Sequence, residues 1–163
     1  MLNKSKHTAF IALGANLGNP AEQIVQALRI LAQSVTLIKT SSMMRSRPLL
    51  LNNKSSEAEP DYINSVVQIE TELTPLDLLD LLLSIESRMG RTRREKWESR
   101  VIDLDLIAYD KLVLSSERLT LPHPEMMRRD FVLKPLAEIA PEWTHPIGGQ
   151  KIKDLIQGLH GFI

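Results

Sequence analysis

The run Val101-Ile-Asp-Leu-Asp-Leu-Ile107 constrains the fold of this chain more than any other stretch. Its apolar, β-branched content reads as a strand. Period-two alternation then sets Asp103 and Asp105 on one face and Ile102, Leu104 and Leu106 on the other. Two carboxylates about 7 Å apart on a rigid strand can share hard cations such as Mg²⁺, which takes oxygen ligands and leaves room for substrate phosphates. The solvent face of an edge strand would give the same alternation. Context separates the two readings. Directly upstream lies Arg91-Thr-Arg-Arg-Glu-Lys-Trp-Glu-Ser-Arg100, so that Arg88, Arg91, Arg93, Arg94, Lys96 and Arg100 all precede the acidic strand closely. A solvated basic loop explains those charges taken alone. A basic loop feeding an acidic strand instead suits metal-assisted phosphoryl chemistry, with guanidinium groups on phosphate oxygens and carboxylates on the bridging metal.

Length and composition narrow the setting. The 163 residues suit one domain spanning 1–163, long enough to bury a core without a disulfide or structural metal. The absence of cysteine excludes disulfides, thiolate zinc sites and a cysteine nucleophile, and suits a cytoplasmic location. No apolar run approaches the length of a membrane span, and no targeting segment precedes the first strand-like stretch. Twenty basic residues balance twenty acidic ones, which argues against a general nucleic-acid binder.

Along the chain, Thr8 to Leu13 reads as a strand closed by a turn at Gly14-Ala-Asn-Leu-Gly18. Asn19 and Pro20 then start a helix with Ile24, Leu28 and Leu31 on one face. Val35 to Ser41 reads as a second strand, and Arg45 to Pro60 as an irregular surface loop long enough to carry function. Tyr62 to Thr71 is a third strand. Thr74-Pro75 opens a leucine-rich helix to about Arg88, ended by Gly90. After the Asp103/Asp105 strand, a turn at Asp110-Lys111 and the short Leu112-Val-Leu segment suggest an antiparallel hairpin. Leu119 to Pro124 is extended, Phe131 to Ala140 helical with a disturbance at Pro135, and Ile152 to Gln157 a last helix before Gly158. Mixed strands and helices favour an α+β sheet covered by helices.

Other residues acquire meaning only in combination. Trp97, among charges, either anchors its loop or stacks on a flat ligand. His123, between Pro122 and Pro124 and near Arg118, Arg128 and Arg129, is either a turn histidine satisfied by backbone or a second phosphate contact. Tyr62 and Asn64 share a strand face, where a ring and an amide could hold a heterocycle or simply pack across strands. The Gly14 to Gly18 segment is too short and wrongly spaced for a phosphate-binding glycine loop.

Taken in order, Ala12-Leu-Gly-Ala-Asn-Leu-Gly18, Pro60-Asp-Tyr-Ile-Asn64, Ile85-Glu86, Gly90-Arg91, Trp97, Arg100-Val-Ile-Asp-Leu-Asp105, Arg118-Leu-Thr-Leu-Pro-His-Pro124 and Arg129-Asp-Phe131 resemble the 6-hydroxymethyl-7,8-dihydropterin pyrophosphokinase family of folate biosynthesis. The resemblance runs from about residue 9 to 148. It implies a ferredoxin-like α+β fold, mainly antiparallel, and transfer of pyrophosphate from ATP, the co-substrate, to the pterin hydroxymethyl group with release of AMP. It implies that Asp103 and Asp105 hold two Mg²⁺ ions, and that Arg91, Arg93, Arg100, Arg118, His123 and Arg129 face ATP and its phosphates. Arg91 and Arg100 join the aspartates as catalytic candidates. Glu86 and Thr120 fall where the nucleotide is recognised. Tyr62 and Phe131 match the aromatic pair that sandwiches the pterin, Asn64 the amide on its edge, Ser46 and Leu49 further pterin contacts, and Trp97 the loop aromatic that closes over the site. Ala15, Met44, Leu50 and Glu98 stand where the family usually carries Ser, Tyr, Gly and a small residue.

These assignments imply mobile loops at about 46–59 and 90–99 that exclude water during transfer. The expected partners are pterin and ATP, with neither nucleic acid nor membrane, in a monomer whose one candidate protein contact is the next folate enzyme. Two alternatives remain open at this level: a single-strand nucleic-acid module using Trp97 and the arginines, with steep salt dependence, and a catalytically silent paralogue that keeps the fold.

Overall fold

A computed structural model describes residues 5–47, 61–90 and 101–160. Strand β1 (His7–Ala15) is central, and pairs antiparallel with β4 (Tyr62–Thr71) on one side and β5 (Asp103–Tyr109) on the other. Strands β2 (Thr36–Thr40) and β3 (Met44–Ser46) follow one another along the far edge of β4, giving the order β2-β4-β1-β5. Each neighbouring pair is antiparallel, so β1 runs parallel to β2, and β4 to β5. Helix α1 (Pro20–Leu31) connects the first parallel pair and α2 (Pro75–Met89) the second, each pair having one strand between its members. Two such split βαβ units make a ferredoxin-like fold.

Local chemistry sets the helix limits. Asn19 Oδ1 accepts from Glu22 N at 3.3 Å ahead of α1, and Thr74 Oγ1 accepts from Asp77 N at 3.2 Å ahead of α2; a proline follows each cap. Gly90 closes α2, its N–H donating to Glu86 O at 2.9 Å.

The pleat divides the core in two. Ala9, Ile11, Leu13 and Ala15 of β1 join Ile102, Leu104 and Leu106 against α1 and α2. Phe10, Val66, Ile107 and Ala108 pack on the opposite face with α3 (Asp130–Ile139) and α4 (Ile152–His160). Asp103 and Asp105 fall on this second face, as alternation requires.

Four local readings need correction. β1 continues through Gly14 and Ala15, so the turn is confined to residues 16–18, where Gly18 takes φ 60°. β3 takes in Arg45 and Ser46, the first two residues of the segment read as irregular; pairing with β4 makes them part of a strand. The hairpin after β5 forms elsewhere: β6 (Leu114–Ser115) pairs with β7 (Thr120–Leu121) in a separate two-stranded sheet. Asp110 turns the chain away at φ 49°, its carboxylate held by Thr8 N at 2.9 Å and His7 Nδ1 at 2.6 Å. Lastly, α4 passes through Gly158 to His160.

Candidate active site

The α3 face of the sheet has a hollow at one end because its central strand carries almost no side-chain volume there. Ala12 stands opposite Asp105, and Gly14 stands between Asp103 and Asn64 on its two flanking strands. Larger side chains around these small residues enclose a cleft of about 250 Å³, lined by Ser46, Arg47, Tyr62, Asn64, Asp103, Asp105, Arg129, Phe131 and Val132. Tyr62 comes from β4 and Phe131 from the first turn of α3, so two rings from separate elements border one space.

Asn64 is buried, at 5% exposure, and its Nδ2 donates to Ser46 Oγ at 2.7 Å and to Met44 O at 3.2 Å. Both amide protons are thereby committed, and the orientation of Oδ1 is set. A Cβ on Gly14 would stand 3.2 Å from that oxygen, close enough to press the Asn64 amide out of place by a few tenths of an ångström. Met44, one of the departures from the family pattern, acts here through its backbone carbonyl, which any residue would supply.

Arg129 links the ring and the acids. Its Nη1 lies 4.0 Å from Asp105 Oδ2, and its guanidinium carbon 5.7 Å from the centre of the Phe131 ring. A cation between a carboxylate pair and an aromatic wall suits a ligand with a flat apolar part and an anionic part.

A second hollow, about 270 Å³, lies beyond Asp105 toward α2, walled by Leu79, Leu83, Glu86, Leu104, Leu106, the 116–120 segment and His123. Asp105 lines both hollows. His123 is fixed by backbone: its N–H donates to Ile107 O at 2.8 Å, and its Nδ1 accepts from Glu125 N at 3.1 Å. A neutral ring so held carries its proton on Nε2. Burial pushes the imidazole pKa below its ordinary value, helped by Arg129 and opposed by Asp105 and Glu125. Arg118 pairs with Asp80 of α2, both half-exposed, and Thr120 is exposed on β7. Glu86 Oε2 accepts from the Leu104 N–H at 2.7 Å.

The structure therefore brings Ser46, Tyr62, Asn64, Asp103, Asp105, Arg129 and Phe131 around one hollow, and Glu86, Arg118, Thr120 and His123 around the other. Leu49, Arg91, Arg93, Trp97 and Arg100 lie outside the described residues, as do positions 48–59 and 91–99 of the expected mobile loops. Sequence reasoning missed Ala12 and Gly14 as site residues, although small residues alternating with Ile11 and Leu13 were a usable signal of an uncovered face. It also missed Arg47, Leu79 and Leu83, whose places depend on tertiary packing.

Two carboxylates on one strand face form an oxygen donor set suited to Mg²⁺ when phosphates and water complete the shell. Among the described residues no cluster of three or more His, Cys, Asp or Glu forms a self-sufficient metal cage, and no helix is long and apolar enough to cross a membrane.

The model of the 7,8-dihydro-6-hydroxymethylpterin-pyrophosphokinase (HPPK) family matches residues 10–141. The 2-amino-4-hydroxy-6-hydroxymethyldihydropteridine pyrophosphokinase of Haemophilus influenzae is 44% identical over 152 residues, covering 92% of this chain and 91% of the relative. The Synechocystis protein of the same name is 43% identical over 93% of this chain and 75% of its own. Among solved structures, Plasmodium falciparum HPPK-DHPS with pteroate superposes with a TM-score of 0.74 at 15% identity, a likeness of fold. It covers 97% of this chain, which spans less than half of that protein, 43%.

Proposed function

The chain belongs to the 7,8-dihydro-6-hydroxymethylpterin-pyrophosphokinase family, and from that premise we propose that its two hollows hold the two substrates of one reaction, pterin beside Phe131 and nucleotide beside His123. The reaction is transfer of pyrophosphate from ATP to the hydroxymethyl group of the dihydropterin, a step of folate biosynthesis. The observation that carries the spatial reading is that Asp105 lines both hollows.

In this reading Tyr62 and Phe131 sandwich the pterin, and Asn64 recognises its edge with the one acceptor that its internal bonds leave directed. Ser46 holds that amide in place. The hydroxymethyl oxygen points toward Asp103 and Asp105 and attacks the β-phosphorus. An O–P bond forms as the hydroxyl proton passes to solvent, the bond from the β-phosphorus to the bridging oxygen of AMP breaks, and AMP departs along the second hollow. Two Mg²⁺ ions on Asp103 and Asp105 would supply charge neutralisation for the phosphates and a lowered hydroxyl pKa. The protein's own share is orientation and electrostatics, as phosphoryl transfer demands. His123 offers an Nε2–H to phosphate oxygen as a neutral donor, and Arg129 stabilises charge on the transferred group while stacking near Phe131. Arg118 and Thr120 contribute from the nucleotide side. Arg91, Arg93 and Arg100 complete the phosphate contacts, Leu49 adds a pterin contact, and Trp97 closes the site against water.

AMP formation from Mg-ATP, with and without 6-hydroxymethyl-7,8-dihydropterin, tests this in the wild type beside Asp105→Ala. Pterin-dependent AMP that the substitution abolishes is the expected result. AMP formation indifferent to Asp105 would remove the aspartate pair from the mechanism.

A further inference from the structure

We infer that Glu86 is a positioning residue for the Asp103/Asp105 pair, acting through the backbone of the residue between them. The inference rests on the reading of that pair as the metal-holding acids. β5 is an edge strand: among the described residues, β1 is its only partner in the main sheet, and its outer backbone groups face α2 and the 116–123 segment. An edge strand whose N–H groups lack ladder partners can shift its pleat, and both aspartates would shift with it.

Among the described residues, two hydrogen bonds hold the outer edge. His123 N–H donates to Ile107 O at 2.8 Å, and Glu86 Oε2 accepts from Leu104 N at 2.7 Å. The second clamp falls between the two acids. Leu104 is 4% exposed, so its N–H sits where a lost partner is expensive. Glu86 reaches it from a rigid support, one residue beyond the fully buried Ile85 on α2. Helix α2 thereby fixes the spacing and direction of two side chains on the far face of β5 through the backbone between them. This differs from a contact with nucleotide, because what matters is the reach of an acceptor oxygen and not its charge.

Reach and charge separate experimentally. Glu86→Gln keeps an acceptor at the same distance and removes the charge, whereas Glu86→Asp keeps the charge and withdraws the acceptor by one methylene. Positioning predicts that in Glu86→Asp the Leu104 amide exchanges with deuterium at least about tenfold faster, without metal or substrate present. It also predicts that the Mg²⁺ concentration for half-maximal AMP formation rises about fivefold or more. Glu86→Gln should stay within about twofold of wild type in both. The reverse order, or a Leu104 amide indifferent to both substitutions, overturns the inference. Asp105→Asn is the control: if it shifts the Mg²⁺ dependence and Glu86→Asp does not, the positioning role alone fails. If Asp105→Asn leaves that dependence unmoved, the metal reading beneath it fails as well.

Discussion

The two hollows that meet at Asp105 are built on different principles. The one beside Phe131 has a floor of sheet positions: Gly14 and Asn64 are locked by register, and Asn64 is 5% exposed with both amide protons committed. The one beside His123 is made from side chains on a hairpin, a helix and an extended segment, with Arg118 and Thr120 exposed and His123 held by backbone. The first is shaped before ligand arrives, which suits discrimination of a flat heterocycle. Among the described residues the second has exposed side chains on its wall, which suits a longer ligand with a mobile anionic tail. Selectivity for the pterin should therefore be sensitive to small volume changes, while the nucleotide side should tolerate loss of any one exposed charge.

Substitutions grade this contrast. Asp105→Asn lines both hollows and should lower turnover by about 100-fold or more, since charge that develops in transfer loses its partner; steady-state AMP formation measures it. His123→Ala should weaken an ATP analogue by about 10-fold, the worth of a hydrogen bond to a charged group, and leave pterin affinity unchanged by calorimetry. Gly14→Ala should do the opposite: its Cβ presses on Asn64 Oδ1, so pterin affinity falls about 5- to 10-fold, the order of about 1–1.4 kcal/mol, with ATP binding intact. Arg118→Ala should cost least, under about 1 kcal/mol in stability by urea unfolding, because its pairing with Asp80 is exposed. If His123→Ala and Gly14→Ala moved both affinities together, the hollows would not be separate subsites.

Sequence reasoning reached the two regions unequally, for physical reasons. The alternation in β5 exposed the acids at once, because one face of a strand has to be apolar to bury. β4 and the caps of α1 and α2 were legible from equally local rules. The family resemblance supplied the roles proposed for Tyr62, Asn64 and Phe131, which no periodicity distinguishes from ordinary packing. β3 was hidden because three polar-flanked residues become a strand only by pairing with β4. Gly14 was taken for turn chemistry because glycine usually marks turns; its place in β1 follows from what stands beside it, Asn64 and Asp103. The β6–β7 hairpin was misassigned because β5 has its outer edge occupied by Glu86 and His123, contacts between residues distant in sequence. Local pattern finds elements; it does not find what occupies their edges.

The distance from metal to pterin decides whether the two hollows meet at the aspartates. With Mn²⁺ replacing Mg²⁺ and a non-hydrolysable ATP analogue in place, the relaxation rates of the pterin hydroxymethyl protons report how near the metal stands. Strong enhancement is expected in the wild type, lost in Asp105→Asn while the pterin stays bound. Hydroxymethyl protons that relax as in metal-free protein would contradict it, because the two hollows would then not meet at the aspartates.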